Sequence, residues 1–271
     1  MRRHALIYTL LFIPLLLVAQ TAADTTIVER LHNTFADKQP AITAIAKTFV
    51  GTPYVAHTLD HDDRETLVID LTRFDCQTFV ETVLALWRTD CASIDTLAGE
   101  LRNIRYRDGQ IDGFASRLHY LTEWIRNNEQ HGIVRDITDS LGGKITAKRI
   151  DFMTTHSDRY RQLRHNPALT DSIRRHETAA TQHPVAIVPK QAVAAIDDKI
   201  PEGAIIAIAT DIDGLDYAHI GFAIRIDGRT HLLHASSSRR CVCISTEPLA
   251  DYLQAVSHFS GISIVVPIKA K

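Results

Sequence analysis

The chain has four cysteines, two methionines and two tryptophans in 271 residues, and no surplus of either charge: 30 Lys and Arg stand against 32 Asp and Glu. A formal net charge of -2 lacks the basic footprint of a nucleic-acid binder, so nucleic acid is not expected as a partner. No internal repeat and no low-complexity tract interrupts the sequence. Histidines number 14, yet no HExxH and no paired CxxC accompanies them, so most are read as scattered surface and core residues. Long hydrophobic runs are scarce as well. The run from Ala5 to Val18 is too short to span a bilayer comfortably and contains Pro14. Preceded by Arg2 and Arg3 and followed by Ala19, Ala22 and Ala23, it reads as an export signal, residues 1–23, cleaved near Ala23. No cysteine follows it closely, so neither a lipid anchor nor a stable membrane anchor is expected. The mature protein is expected to be a soluble, exported monomer, periplasmic in a Gram-negative cell.

What is present is ordinary for a globular protein: 45% hydrophobic and 23% charged residues, enough for a sizeable core. Residues 24–271 are read as a single domain whose two halves differ in character. In the first half, Thr25 to Ala36 and a stretch opening at Pro40 have helical patterns, the latter ending at Gly51, and Thr52-Pro53-Tyr54 is extended or turned. Residues 57–72 read as a loop or small hairpin, Ile94 to Leu101 as a helix, and Tyr106 to Gln110 as a hairpin-like Asp-Gly turn. The mixed, polar stretch at about 130–198 reads as an insertion. Beyond it, Ala204–Ala209, Ala218–Ile226, Thr230–Ala235 and Ile262–Pro267 are β-branched-rich runs bounded by turn residues, with Asp227-Gly228 as a hairpin signal. The fold class is therefore α+β, with N-terminal helices packed on a C-terminal antiparallel sheet.

The chemistry centres on Cys76. Phe79, Val80, Val83, Leu84 and Trp87 recur at helical intervals, so Cys76 falls in the first turn of a helix, where free N–H groups and the positive dipole end favour a thiolate. A cysteine hydrolase also needs an imidazole and a group to orient it. Strand alternation puts His219, Gly221 and Ala223 on one face and Ile220, Phe222 and Ile224 on the other, and the Asp227-Gly228 hairpin brings the neighbourhoods of His219 and His234 together. A zinc site built from Cys76 and the two histidines fits the residue types but lacks a second close-spaced ligand pair. Cys91, Cys241 and Cys243 leave room for one disulfide that the sequence cannot choose; Cys241-Val242-Cys243 on a strand points both sulfurs to one face.

Four segments, in order, resemble the NlpC-type papain-like peptidoglycan hydrolases: Gly51-Thr52-Pro53-Tyr54, Asp75-Cys76, His219-Ile220-Gly221-Phe222 and Leu233-His234-Ala235-Ser236. The resemblance implies a papain-like core, Cys76 as nucleophile, His219 as general base and acid, His234 as its orienter, and Tyr54 as an aid to the oxyanion. It implies amide hydrolysis through a thioester, with no metal or cofactor. Where that family has Ser-Gly after the cysteine, this chain has Gln77-Thr78, which weakens recognition of a free stem-peptide amine. Phe74 to Glu81, Arg117-Leu118-His119-Tyr120 with Trp124, and Phe152-Met153-Thr154-Thr155-His156 are similar to a smaller branch, the N-acetylmuramoyl-L-alanine amidases that prefer anhydro-muropeptides. This second resemblance implies muropeptides as substrates. Asp75, Gln77, Arg117, His119, Tyr120 and His156 are the expected substrate contacts. A γ-D-glutamyl-diaminopimelate endopeptidase, and a cell-wall-binding protein that lost the chemistry, stand as alternatives.

Overall fold

The structure, a computed structural model, describes residues 18–35, 38–60 and 64–270. Of the expected signal at 1–23, residues 1–17 lie outside the described residues, and the expected cleavage point near Ala23 falls inside the first helix. Helices α1 (Ala22–Phe35), α2 (Ile42–Lys47), α3 (Cys76–Arg88) and α4 (Ile94–Arg105) come first, with a parallel pair of two-residue strands, β1 (Val18–Ala19) and β2 (Leu67–Val68). Then come α5 (Leu121–Gln130), β3 (Val134–Asp136), β4 (Lys144–Thr146), α6 (Phe152–Thr155), α7 (Pro167–Thr181) and β5 (Val185–Pro189) in that order. Strands β6 (Ile205–Thr210), β7 (Tyr217–Ile226), β8 (Arg229–Ser236) and β9 (Cys241–Ile244) follow, then α8 (Leu249–Gln254) and β10 (Phe259–Pro267).

Among the described residues, eight strands make one sheet in the order β4-β5-β10-β6-β7-β8-β9, with β3 also on β10. Every pairing in it is antiparallel, as the α+β reading expects. The Asp227-Gly228 turn joins β7 to β8 with positive φ at both residues (48° and 78°), the geometry a two-residue hairpin needs to match strand twist. Asp108-Gly109 has the same backbone signs but no hairpin: it sits in a 3-10 turn just after α4, and only an isolated bridge, Tyr106 to Arg117, crosses it. Residues 57–72, expected as a loop or hairpin, instead contribute β2, whose partner β1 lies far upstream. Residues 130–198 join the sheet directly, since β3 and β5 both pair with β10.

α3 lies at the centre, enclosed on every side over two turns: Phe79, Val80, Val83, Leu84, Ala85 and Leu86 are all fully buried, and the polar Glu81 and Thr82 between them are buried as well. Burying a side chain of this size contributes about 1.5–3 kcal/mol. Edge-on ring contacts fix its orientation. Phe49, at the end of the α2 region, meets Phe74 at 5.3 Å; Phe74 meets Phe79, and Phe79 meets Phe222 of β7, both at 5.8 Å. This chain of rings ties the entry of α3 to the strand that carries His219. At the other end of the helix, Trp87 Nε1 donates to Pro40 O at 3.0 Å.

The four cysteines are all free thiols. Cys91, which entered the reckoning of a possible disulfide, is buried against α3 with its thiol directed at Leu86 O, 3.6 Å away.

Candidate active site

The N-terminus of α3 is set by its own residues. Asp75 is extended (φ -93°, ψ -179°), its carboxylate accepts from Thr78 N at 2.8 Å, and Thr78 Oγ1 accepts from Asp75 N at 3.0 Å. This reciprocal cap gives Thr78 a structural role. It leaves Cys76 and Gln77 as the first helical residues, with backbone N–H groups that no turn of helix satisfies. The N–H groups of Cys76, Gln77 and Ile220 all lie close enough to the Cys76 sulfur to stabilise negative charge on it. Burial, reinforced by the Asp75 carboxylate, outweighs them and pushes the Cys76 thiol up to about 12. Burial therefore works against the thiolate that the helix dipole favours, because desolvation of the charged form exceeds what one helix end supplies.

Tyr54 reaches Cys76 through a strap rather than a regular element. Tyr54 N donates to Arg240 O and Phe74 N to Pro53 O, so the extended Thr52–Tyr54 segment is held between the start of β9 and the residues entering α3. Burial and the neighbouring Cys76 and Asp75 push the Tyr54 phenol up to about 12, keeping it a hydrogen-bond donor.

His219 lies near the start of β7 and His234 lies on β8. Their rings meet edge-on, with His219 Nε2 2.6 Å from His234 Nδ1. Gly221 makes that approach possible, because a Cβ there would stand 2.9 Å from both Leu233 O and His234 Cβ. Burial pushes His219 down to about 3, aided by His234, and pushes His234 down to about 4. Both rings are therefore neutral at physiological pH.

Cys76 and His219 open on one cavity of about 620 Å³, with Tyr54, Asp75, Gln77, Arg117 and His119 also in its wall. The remaining expected residues are placed differently. His234 stands behind His219. Tyr120 is buried, its hydroxyl donating to Glu177 at 2.7 Å and accepting from Met153 N, away from the cavity. His156 stacks on Phe152 (4.3 Å), its Nδ1 2.9 Å from Phe152 O, so the phenyl ring and not the imidazole reaches the wall.

Arg117 is engaged by the protein itself: Nε and Nη2 bond Glu65 at 3.0 and 2.8 Å, and Nη1 bonds Asp60 at 3.1 Å. It clamps the loop before β2 over the cavity. His119 Nε2 lies 2.8 Å from Phe114 O, and burial with the Arg117 charge pushes its pKa down to about 3, leaving Nδ1 as an acceptor. The Gln77 amide nitrogen donates to Glu81 Oε1 and Leu118 O. Both partners are acceptors only, so the amide orientation is fixed and Oε1 is the atom left for a ligand.

Sequence reasoning missed Tyr160, Asp60 and Asp216, all in the wall. Tyr160 and Asp60 sit in stretches without periodicity. Asp216 is buried with its oxygens taken by Thr122 N and Tyr217 N, each at 2.8 Å, a role visible only once α5 meets β7. Among the described residues, no group of three or more His, Cys, Asp or Glu is arranged to hold a metal, and no helix is long and apolar enough to cross a membrane.

The AmiA-like family, described as N-acetylmuramoyl-L-alanine amidase-like, matches residues 44–262, which span the strap, α3 and both histidine strands. The chain belongs to this family. A Bacteroides uniformis N-acetylmuramoyl-L-alanine amidase is similar in structure, with TM-score 0.80 and 35% identity over 84% of this chain and 99% of that one. A Bacteroides fragilis protein provisionally described as a xylanase matches with TM-score 0.78 and 36% identity, covering 82% and 99% of the two chains. A Legionella pneumophila protein of the family model DUF1460 shares the fold, with TM-score 0.70 at 23% identity over 92% and 96%. Curated proteins give no match. For an amidase-like family member, the wall just described puts a thiol, a phenol and an imidazole backed by a second one around one cavity of small-ligand size.

Proposed function

We propose that the protein is an exported cysteine amidase, with an NlpC-type papain-like core, that hydrolyses the amide between the lactyl group of N-acetylmuramic acid, in its anhydro form, and L-alanine. The observation that carries this reading is His219, hydrogen-bonded from behind by His234, opening with Cys76 at the start of α3 on a single cavity. The similarity to a Bacteroides uniformis N-acetylmuramoyl-L-alanine amidase supports the choice of bond.

His219 Nε2 is occupied by His234, so Nδ1 is the nitrogen free to take a proton. With thiol and imidazole both neutral at rest, His219 removes the Cys76 proton as sulfur attacks the lactyl carbonyl carbon. In this reading the Cys76 N–H and the Tyr54 hydroxyl, both from residues in the cavity wall, donate to the developing oxyanion. Collapse breaks the C–N bond, His219 returns the proton to the alanine nitrogen, and the stem peptide leaves. Water, deprotonated by His219, then cleaves the thioester, releasing the lactyl carboxylate and restoring the thiol.

In this cleavage the alanine nitrogen is the scissile atom, so no free amine has to be held beside the cysteine. Gln77, which stands where that role would fall, offers a carbonyl oxygen to an N–H of the substrate instead.

Incubation with a disaccharide anhydro-muropeptide should release disaccharide and intact stem peptide, and Cys76→Ala should abolish the release. A dipeptide product would assign the endopeptidase activity instead, and tight binding without turnover by the native protein would assign a binding role.

A further inference from the structure

β9 brings a second thiol to the far side of the histidine pair. Cys243 is buried, and its Sγ stands 3.9 Å from Nε2 of His234. The other nitrogen of that ring, Nδ1, is the one 2.6 Å from His219 Nε2. A row therefore runs from Cys243 through His234 and His219 to the cavity that Cys76 lines.

Proton counting along the row leaves one productive arrangement, given the role of His219 in the proposed function. A base must keep a lone pair on Nδ1, so neutral His219 carries its hydrogen on Nε2. That hydrogen goes to His234 Nδ1, which is then an acceptor, and neutral His234 carries its own hydrogen on Nε2. There the partner is the Cys243 sulfur. The reverse arrangement, with His234 Nδ1–H donating, puts a hydrogen on His219 Nδ1 and removes the base. Both arrangements satisfy the short contact between the rings equally well. The choice has to come from what lies beyond His234.

We propose that Cys243 is a positioning residue: its sulfur accepts the Nε2–H of His234, fixes that tautomer, and so keeps Nδ1 of His219 free to take the Cys76 proton. Tyr252 of α8 packs edge-on against the His234 ring at 5.5 Å, which opposes rotation of the ring toward another acceptor. A neutral sulfur orients the ring without adding the charge that a carboxylate would place there. Around His234 the titratable and charged groups are His219 from β7, Cys243 from β9, Tyr252 from α8, and Arg239 and Glu247 from the chain flanking β9. Arg239 and Glu247 act on His234 in opposite directions.

Nitrogen NMR of protein labelled in its histidines tests this, with the His234 signals assigned by their loss in His234→Gln. The expected pattern is a protonated Nε2 and a bare Nδ1. Cys243→Ala should populate the other tautomer and lower kcat by about tenfold, equivalent to about 1.4 kcal/mol, with KM unchanged. Cys243→Ser, whose hydroxyl also accepts, should restore the pattern and most of the turnover. A packing role alone would lower the denaturation midpoint and leave the tautomer as it was. The proposal is overturned by an Nδ1–H pattern in the native protein, or by Cys243→Ala retaining the native pattern. These signals need no substrate, so failure to cleave muropeptides would refute the proposed function while the nitrogen shifts still decide this assignment.

Discussion

Replacing Arg105 with methionine should be among the most damaging single changes in the molecule, for a reason that can be worked from its surroundings. Arg105 is 2% exposed and Glu81 1%, and Arg105 Nε donates to Glu81 Oε2 at 2.7 Å. Arg105 Nη1 also donates to Val68 O at 2.7 Å, and Glu81 Oε1 accepts from Gln77 in the cavity wall. Removing the guanidinium leaves a carboxylate in the core with one neutral donor, which costs about 3–5 kcal/mol. At about 2–4 °C per kcal/mol for a chain of this size, the melting temperature should fall by about 6–20 °C. The double replacement Arg105→Met with Glu81→Leu removes the uncompensated charge as well. Because desolvating an ion pair offsets most of its Coulomb attraction, the double variant should return to within about 2 kcal/mol of the native protein. Urea denaturation of the native protein and both variants measures this. The reasoning fails if Arg105→Met costs under about 1 kcal/mol, or if the double variant is less stable than the single one.

Gly221→Ala forces β7 and β8 apart at His234, and turnover should fall by about a hundredfold, the scale at which a shift near 1 Å disrupts a catalytic geometry; kcat measured on protein of native circular dichroism checks it. Glu177→Ala strips partners from Tyr120 OH, Thr154 N and Thr154 Oγ1, at about 1–3 kcal/mol for each buried donor left unpaired. Since this network anchors the segment carrying Phe152, KM should rise more than kcat falls, as steady-state kinetics would reveal. His119 and His219 are pushed down to about 3, and His176 and His234 to about 4, from about 6.5 in an unfolded chain. Below pH 6.5 the unfolded chain therefore binds more protons than the folded one, so stability is full above that value and is lost as pH falls toward 4. Urea midpoints at pH 7.5 and 5.0 test the sign, and an unchanged or higher midpoint at pH 5.0 would refute it.

Sequence periodicity carried much of the fold. The stripe from Phe79 to Trp87 and the β-branched runs after residue 204 are local patterns, and each became the element it implies: the helical spacing gave α3, and the continuous apolar runs gave strands such as β6 and β8 that are buried on both faces. Capping was also local: Asp75 and Thr78, three residues apart, set where α3 begins. What stayed illegible was long-range. Strands β3 and β5 are three and five residues long, and only pairing with β10 makes them part of the sheet. Tyr120 and Glu177 are 57 residues apart, and nothing near either one announces their hydrogen bond.

By itself the sequence determined the helix on which Cys76 sits, the hairpin that joins His219 to His234, and the mixed helix and antiparallel-sheet class, since each follows from side-chain period, caps or turn chemistry within a few residues. The tertiary structure alone decided how strongly burial opposes charge at the site and what lines its cavity. A helix N-terminus favours a thiolate, but whether one forms depends on how much water the packed surroundings exclude, and around Cys76 that burial wins. In the same way Arg117 became a clamp on Glu65 and Asp60, and Phe152 rather than His156 reached the wall, because partners far apart in the chain decide where a polar side chain spends its hydrogen bonds.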